Sequence, residues 1–285
     1  MVSPYRQYRL AAGGLAGMIG DVLRRLKQAR RIARAEAEIL ARQLSPAPHG
    51  LRAPLIVSLT SYPARFASLH LVLRSVLQQT VRADRVILWL DEGDQDRLPA
   101  EVRALGIETR ICPNWRSYKK IVPVLLETPD AYVVTADDDV YYGPDWLEAL
   151  VRRAESRVVC HRAHRVVLAA GDPLPYGDWQ RNISVPETGP LVFPTGVGGV
   201  LYAPGVFHPD VTDAALFQEL APSADDVWLY WMHRLAGSRP EKIGGRFRIT
   251  EWPGTQQQNL RQGNLTGDGN DRAVRALVEH YGFPG

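Results

Sequence analysis

Cysteine is nearly missing from this chain: Cys112 and Cys160 are the two in 285 residues. One disulfide at most can form, which excludes a small disulfide-stapled secreted scaffold and fits a reducing cytoplasm. Long apolar runs are also missing. The longest near the start, LAAGGLAGMIG over residues 10–20, is about half the ~20 residues of a membrane span, and no secretory signal accompanies it. The net charge of +3 is too small to argue for nucleic acid as a partner. No G-x-G-x-x-G follows the first apolar strand and no G-x-x-x-x-G-K-[ST] occurs, so neither a dinucleotide oxidoreductase nor a P-loop ATPase is expected. The histidines form no metal set. His161 and His164 fall on opposite faces of a strand-like segment and read as structural or surface residues, and His233 shares a helix face with Asp226 two turns earlier. Without His–Asp clusters a metal phosphodiesterase is disfavoured. No internal repeat is present.

What is there is ordinary for a globular chain, with 45% apolar and 23% charged residues. Charge is unevenly spread. Residues 1–44 hold nine Arg/Lys against three Asp/Glu, a balance of +6, leaving −3 for the rest. In DVLRRLKQARRIARAEAEILARQL, apolar residues from Val22 to Leu44 recur at three- or four-residue steps, which predicts an amphipathic helix with an arginine-rich polar face. Packing on protein, including a second copy of this chain, and lying on an anionic membrane surface both fit such a helix. SPAPHG over 45–50 breaks it. Residues 1–48 are therefore expected to form a basic helical segment and linker, and 49–285 the main domain.

From residue 54 onward strands and helices alternate. PLIVSLTSY, RVILWLDE (85–92), IETRICP (107–113) and AYVVTADDDV (131–140) read as strands. FASLHLVLRSVLQQ (66–79), LPAEVRAL (98–105), SYKKIVPVLLE (117–127), kinked by Pro123, and PDWLEALVRRAES (144–156) read as helices. The pattern predicts an α/β fold with a mostly parallel central sheet and helices on both faces. Ligands then bind beyond the carboxyl ends of the strands, where Thr60, Ser61, Asp91 and Asp137 to Asp139 fall. The second half is less regular: one or two strands in 157–169, a glycine-rich strand with turns in 193–207, a helix in 223–237, a strand in 246–252, a polar loop, then a helix over about 271–281.

Asp137-Asp138-Asp139 directly follows an apolar strand. Adjacent carboxylates repel unless a cation or donors sit among them, and oxygen ligands without nearby His or Cys favour Mg²⁺ or Mn²⁺. Lys119 and Lys120 precede a helix, where at most one is expected to reach a site, since neighbours on an α-helix point ~100° apart. Asp225-Asp226 opens a helix, a place that also suits an acidic cap. Gly196, Gly198 and Gly199 in a strand-like stretch imply a close backbone approach or a bulge. Trp179, Trp228 and Trp231 are large enough to stack on sugar rings or to fill a core.

LIVSLTSYPARF, RVILWLDEGD, SYKKIVPVL, VVTADDDVYYGPDWL, PTGVGGVLY and ADDVWLYWMHR occur in that order. Over roughly 52–235 the chain thereby resembles a GT-A glycosyltransferase, close to the family 2-like enzymes. The resemblance implies a nucleotide-sugar half (about 52–142) and an acceptor half (about 143–285). It implies Asp139 as ligand of the divalent metal, with Asp137 sharing the metal or binding the ribose. Donor binding would fall to Thr60, Ser61, Tyr62, Arg65, Asp91, Lys119, Lys120, Asp137 and Asp138. Asp226 would be the base and Asp225 its support, although Asp-Asp replaces the family's usual Glu-Asp, leaving the choice between them open. Gly198, Gly199, Trp179 and Trp228 would line the acceptor pocket. The implied activity is inverting, distributive transfer from a UDP- or GDP-sugar to a saccharide or lipid-linked acceptor in surface glycan synthesis, in the cytoplasm or on the inner face of its membrane. Asn264 or Arg261 in the polar loop could close over the donor. The rivals are a sugar-nucleotide pyrophosphorylase, whose G-x-G-x-R loop is missing here, and an inactive scaffold.

Overall fold

The computed structural model describes residues 4–253 and 268–285, with side chains from Val22 onward except that of residue 24. It divides into two compact units, 1–42 and 43–285. The first unit is α1, Pro4–Ala41. The apolar spacing places the start of this helix at Val22, but it begins at Pro4. Proline suits a first helical position, where no N–H is needed. Val22, Leu23 and Leu26 are exposed, and Arg42 pairs with Glu38 one turn back. No helix among the described residues is long and apolar enough to cross a membrane.

The second unit is built on an eight-stranded sheet. Its strands are β1 (Leu55–Thr60), β2 (Arg85–Leu90), β3 (Glu108–Ile111), β4 (Tyr132–Ala136), β5 (Val158–Cys160), β6 (Glu187–Thr188), β7 (Val200–Tyr202) and β8 (Glu241–Lys242). They lie in the order β6-β8-β5-β7-β4-β1-β2-β3. β3, β2, β1 and β4 are mutually parallel, with Val57 facing Val86 on one side and Val134 on the other. β7 runs antiparallel to both β4 and β5, and β6 antiparallel to β8. The sheet is thus mostly parallel, as the alternation of elements predicts.

Continuous apolar runs such as LIVSL suit strands buried on both faces. Ile56, Ile87, Trp89 and Val133 join one core with α3 (Val122–Glu127), α5 (Ala214–Leu220), α6 (Asp225–Leu235) and α7 (Gly269–Tyr281). Leu55, Val57, Leu88 and Val134, one position out of phase and also fully buried, point to the other face. α2 (Phe66–Leu77) and α4 (Trp146–Val151) are tied together through Gln79, which donates to Gly143 O at 2.8 Å and accepts from Leu147 N at 2.9 Å.

Three local expectations need correction. Pro123 does not kink a helix; it stands in the first turn of α3, preceded by a 3₁₀ turn over Arg116–Lys120. Residues 193–207 are not one strand: Val192–Pro194 pairs with Ala163–Arg165, and β7 begins after Gly199. Gly198 and Gly199 turn the chain between them at φ +106° and +91°, a region open to glycine. Residues 246–252 make no strand. Their pairing is one bridge from Glu251 to Val140, flanked by Tyr141 N to Thr250 O (3.0 Å) and Trp252 N to Asp139 O (2.9 Å). The partner there is the turn after β4, which offers no ladder to extend.

Candidate active site

The strand order reverses between β1 and β4, and a cleft of about 890 Å³ opens at their carboxyl ends, the place where such sheets bind ligands. The three aspartates leave β4 in different directions. Asp138 is buried and turned away from solvent, accepting from Ser61 Oγ at 2.6 Å and pairing with Arg65. Arg65 also stands 3.0 Å from Asp139 Oδ2. Burial works against the Arg65 charge, but Asp138 and Asp139 outweigh it and raise its pKa. Asp138 therefore acts as the anchor that fixes Ser61 and Arg65 at the end of β1. Asp137 is held from behind: its N–H donates to the buried Tyr142 hydroxyl at 2.7 Å.

Asp139 is pushed up to about 7 by burial and by the charge of Asp137, against the pull of Arg65. Asp138 and Glu251 push the same way. Asp137 and Asp139 thus supply two hard oxygen donors in a region of excess negative charge. Among the described residues no three His, Cys, Asp or Glu side chains form a closed metal cage. Mg²⁺ or Mn²⁺ does not need one, since one or two carboxylates plus substrate phosphates suffice. The pair fits such an ion.

Both lysines reach the cleft, contrary to the expectation that at most one does. They lie on a 3₁₀ turn, where successive side chains diverge by ~120°, and each finds its own acid. Lys119 Nζ is 2.9 Å from Asp91 Oδ1 at the end of β2. Lys120 Nζ is 3.0 Å from Asp137 Oδ1 and 3.2 Å from Asp225 Oδ2. Burial disfavours the Lys120 ammonium, but Asp137, Asp225 and Asp226 hold its pKa well above the usual range. One ammonium thus ties the end of β4 to the start of α6.

Asp226 accepts from Gly196 N at 2.8 Å. Burial and the neighbouring Asp225 push its carboxyl up to about 7 despite Lys120. The backbone passes so close that a Cβ on Gly196 would stand 2.9 Å from both Asp226 Oδ1 and Lys120 Nζ. Here the close approach implied by the glycines is real and lies in the cleft.

Thr60, Ser61, Tyr62, Arg65, Asp91, Lys119, Lys120, Asp137, Asp138, Asp139, Asp225 and Asp226 all line this one cavity. The Thr60 hydroxyl also donates to Trp89 O at 2.9 Å, closing the end of β1 onto β2. The expected acceptor residues stand elsewhere. Trp228 is fully buried among Phe217 and Tyr281, with its indole N–H on Val211 O at 3.1 Å. Trp179 packs on Tyr176 and Phe193 and donates to Leu174 O at 2.8 Å. Gly198 and Gly199 face Phe247 and Trp146, and a Cβ on Gly199 would come within 2.5 Å of the Trp146 ring. These four serve packing rather than the cavity wall. His233 is buried with Nδ1 on Ser238 Oγ at 2.6 Å, away from the cavity. Asn264 and Arg261 lie outside the described residues.

The cleft also contains His164, which the sequence did not place in a site, and residues with no sequence signature: Arg116, Arg162, Tyr176, Arg181, Thr195 and Arg272. They come from separate loops and from the first turn of α7, so no spacing announces them.

Residues 59–174 match the family model described as Glycosyl transferase family 2. No curated protein matches the chain. Among solved structures, a 4-diphosphocytidyl-2C-methyl-D-erythritol synthase is 14% identical over 79% of this chain and 100% of its own, with a TM-score of 0.44. The glucosyl-3-phosphoglycerate synthase of Mycobacterium tuberculosis, solved with Mn²⁺, UDP and phosphoglyceric acid, is 15% identical over 89% of this chain and 84% of its own, with a TM-score of 0.45. Mannosyltransferase PcManGT of Pyrobaculum calidifontis, solved with GDP-Man and Mn²⁺, is 15% identical over 76% of this chain and 62% of its own, with a TM-score of 0.40. Likenesses of this size carry no argument about activity. Over residues 59–174, less than half of the chain, the sequence is similar to the family 2 glycosyltransferases, and the second unit has an α/β fold on a mostly parallel sheet.

Proposed function

We propose that this chain is a metal-dependent, inverting glycosyltransferase that moves one sugar at a time from a UDP- or GDP-sugar to a hydroxyl of a saccharide or lipid-linked acceptor in surface glycan synthesis. The observation that carries the reading is the placement of Asp137-Asp139 and Asp225-Asp226 in one cleft, joined through Lys120. We assign the donor to the half over 52–142 and the acceptor to 143–285, after the basic segment 1–48. We place the reaction in the cytoplasm or on the inner face of its membrane, with α1 set against lipid or a second copy.

Asp139 and Asp137 would hold Mg²⁺ or Mn²⁺, which when bound supplies charge neutralisation at the donor diphosphate. Ser61, Tyr62 and Arg65 after β1, and Asp91 after β2, position the nucleoside. Lys119 and Lys120 bring positive charge beside the leaving diphosphate. Asp225 is neutralised by Lys120, whereas Asp226, with its raised pKa, has the basicity to take a proton near neutral pH. Asp226 removes the acceptor O–H proton as that oxygen bonds to the anomeric carbon. The bond from that carbon to the diphosphate breaks on the opposite face, and its electron pair leaves with the nucleotide.

Incubation with UDP- and GDP-sugars, Mn²⁺ and simple glycoside acceptors, followed by NMR of the products, tests this. The expected result is a glycoside of inverted anomeric configuration, lost in Asp226→Asn. Retention of configuration, or formation of a nucleotide-sugar from sugar phosphate and nucleoside triphosphate, would overturn it.

A further inference from the structure

Side chains on an α-helix step round its axis by ~100°. On α1 that step brings Val22, Leu26, Ala29, Ala33 and Leu40 into one stripe about 60° wide. Val22, Leu26 and Leu40 are 54%, 52% and 66% exposed, and Leu23, on one flank, is 51% exposed. Ala29 and Ala33 are exposed too. The buried residues of this helix, Ala35 and Ile39, lie on another side, roughly 100° or more from the middle of the stripe. Packing of the helix therefore leaves the stripe open.

Cations frame the stripe. Residues 22–34 contain six of them, Arg24, Arg25, Lys27, Arg30, Arg31 and Arg34, and no Asp or Glu. Arg25 falls on one side of the stripe, Arg30 and Arg34 on the other. Arg25, Lys27, Arg30, Arg31 and Arg34 are exposed, and among the described residues none of these five pairs with a carboxylate. Glu38, farther along the helix, is engaged by Arg42. Since the chain outside residues 1–44 carries −3, the positive charge that a partner meets belongs to this segment.

A second copy of α1 is a poor cover. Positions 22, 26, 29, 33, 36 and 40 have the alternating four- and three-residue steps of a coiled-coil seam, but the middle of that seam is Ala29, Ala33 and Glu36, two small residues and a charge. Two such helices side by side would also set six cations against six, with no acid in 22–34 to pair across. Nucleic acid would meet the cations and leave Val22, Leu23 and Leu26 without a role. An anionic bilayer answers both features: its headgroups take the cations, and the boundary beneath them takes the apolar side chains. We infer that α1 lies in the plane of an anionic lipid surface, with Val22, Leu23 and Leu26 inserted and Arg25, Arg30 and Arg34 on the headgroups. This decides between the two covers for α1 in the reading above, and it is independent of the donor and acceptor chemistry.

Flotation of the full chain with two sets of vesicles tests this: phosphatidylcholine alone, and phosphatidylcholine with phosphatidylglycerol in equal parts. Partition into the anionic vesicles is expected to be at least about tenfold stronger than into the neutral ones. It should weaken as salt rises from about 0.1 M to about 1 M and the screening length falls from ~10 Å to ~3 Å. Arg25→Gln/Arg30→Gln/Arg34→Gln is expected to abolish the preference for anionic vesicles. Leu23→Gln/Leu26→Gln keeps every cation and is expected to lose about fivefold or more. All five side chains are exposed, so the thermal melts of both variants should match that of the unaltered protein. Equal partition into the two vesicles overturns the inference, and so does anionic binding that survives the loss of Leu23 and Leu26, since charge alone then explains it. Absence of vesicle binding together with a dimer in sedimentation that Leu26→Gln dissociates would assign the stripe to a second copy instead. Nucleotide binding is a separate readout: a chain that floats with anionic vesicles and binds no nucleotide fails the donor reading and keeps this one.

Discussion

Lys120 stands 3.2 Å from Asp225 and, with the same ammonium, 3.0 Å from Asp137. A buried cation between two acidic clusters is hard to replace. Its removal leaves Asp137, Asp225 and Asp226 facing one another with no counter-charge between them. Lys120→Met is expected to cost about 3–5 kcal/mol of stability at neutral pH. The deficit should shrink as pH falls and the carboxylates take up protons. Urea denaturation at pH 5 and pH 8 measures both. An equal loss at the two pH values would show that packing, not charge, is what Lys120 supplies.

The pH dependence of turnover follows from Asp226, whose carboxyl is raised to about 7. A base acts as the carboxylate, so kcat/KM is expected to rise through pH 7 and level off above it. Asp226→Asn should lower kcat by roughly 10²–10⁴ and remove that rise. Stability runs the other way. A carboxyl with a folded pKa above its ordinary value binds more protons folded than unfolded, so stability falls as pH rises from about 4 to 7. Asp226→Asn should be less sensitive to pH over that window and the more stable protein at pH 8.

Gly196 has no room for a methyl group, because Asp226 Oδ1 and Lys120 Nζ would each lie 2.9 Å from its Cβ. Gly196→Ala must displace the Asp226 carboxylate or the Lys120 ammonium. Roughly hundredfold loss of kcat is expected, with a smaller stability loss on the order of 1–3 kcal/mol. A crystal structure or kinetics of the variant checks it; unchanged kcat would mean that Asp226 is not held where the reaction needs it.

The three adjacent aspartates should separate by role. Asp138→Asn, at the residue engaged by Ser61 and Arg65, is expected to cost about 1–3 kcal/mol of stability while nucleotide binding keeps its dependence on metal. Asp139→Asn should keep the fold and lose that dependence. Nucleotide titrations with and without Mn²⁺, beside thermal melts, distinguish the two.

Much of this site was legible in the sequence because its parts are local. A parallel strand that ends in acids announces both its own position and a ligand edge, which is why Thr60, Asp91 and Asp137 to Asp139 fall together. Asp225-Asp226 was legible as a helix start. The lysines depart from the spacing because of helix type: a 3₁₀ turn sends Lys119 and Lys120 to different acids, which an α-helical step does not show. Trp179 and Trp228 have the chemistry of a sugar platform, but an indole with a backbone acceptor is content in a core, and periodicity does not tell the two apart. Arg162, Arg181 and Arg272 carried no signal, since three loops and helix ends distant in sequence bring them together.

The central claim is that one cleft holds a metal-assisted nucleotide site and a separate base. Thermal melts with UDP and GDP, each with and without Mn²⁺, test it most directly in the unaltered protein, Asp139→Asn and Asp226→Asn. At about 100 times its dissociation constant a ligand stabilises by ~2.7 kcal/mol, a shift easily read. The account predicts metal-dependent stabilisation by one diphosphate, lost in Asp139→Asn and kept in Asp226→Asn, although the latter no longer transfers sugar. Stabilisation that ignores the metal, or that disappears with Asp226 rather than Asp139, would contradict it.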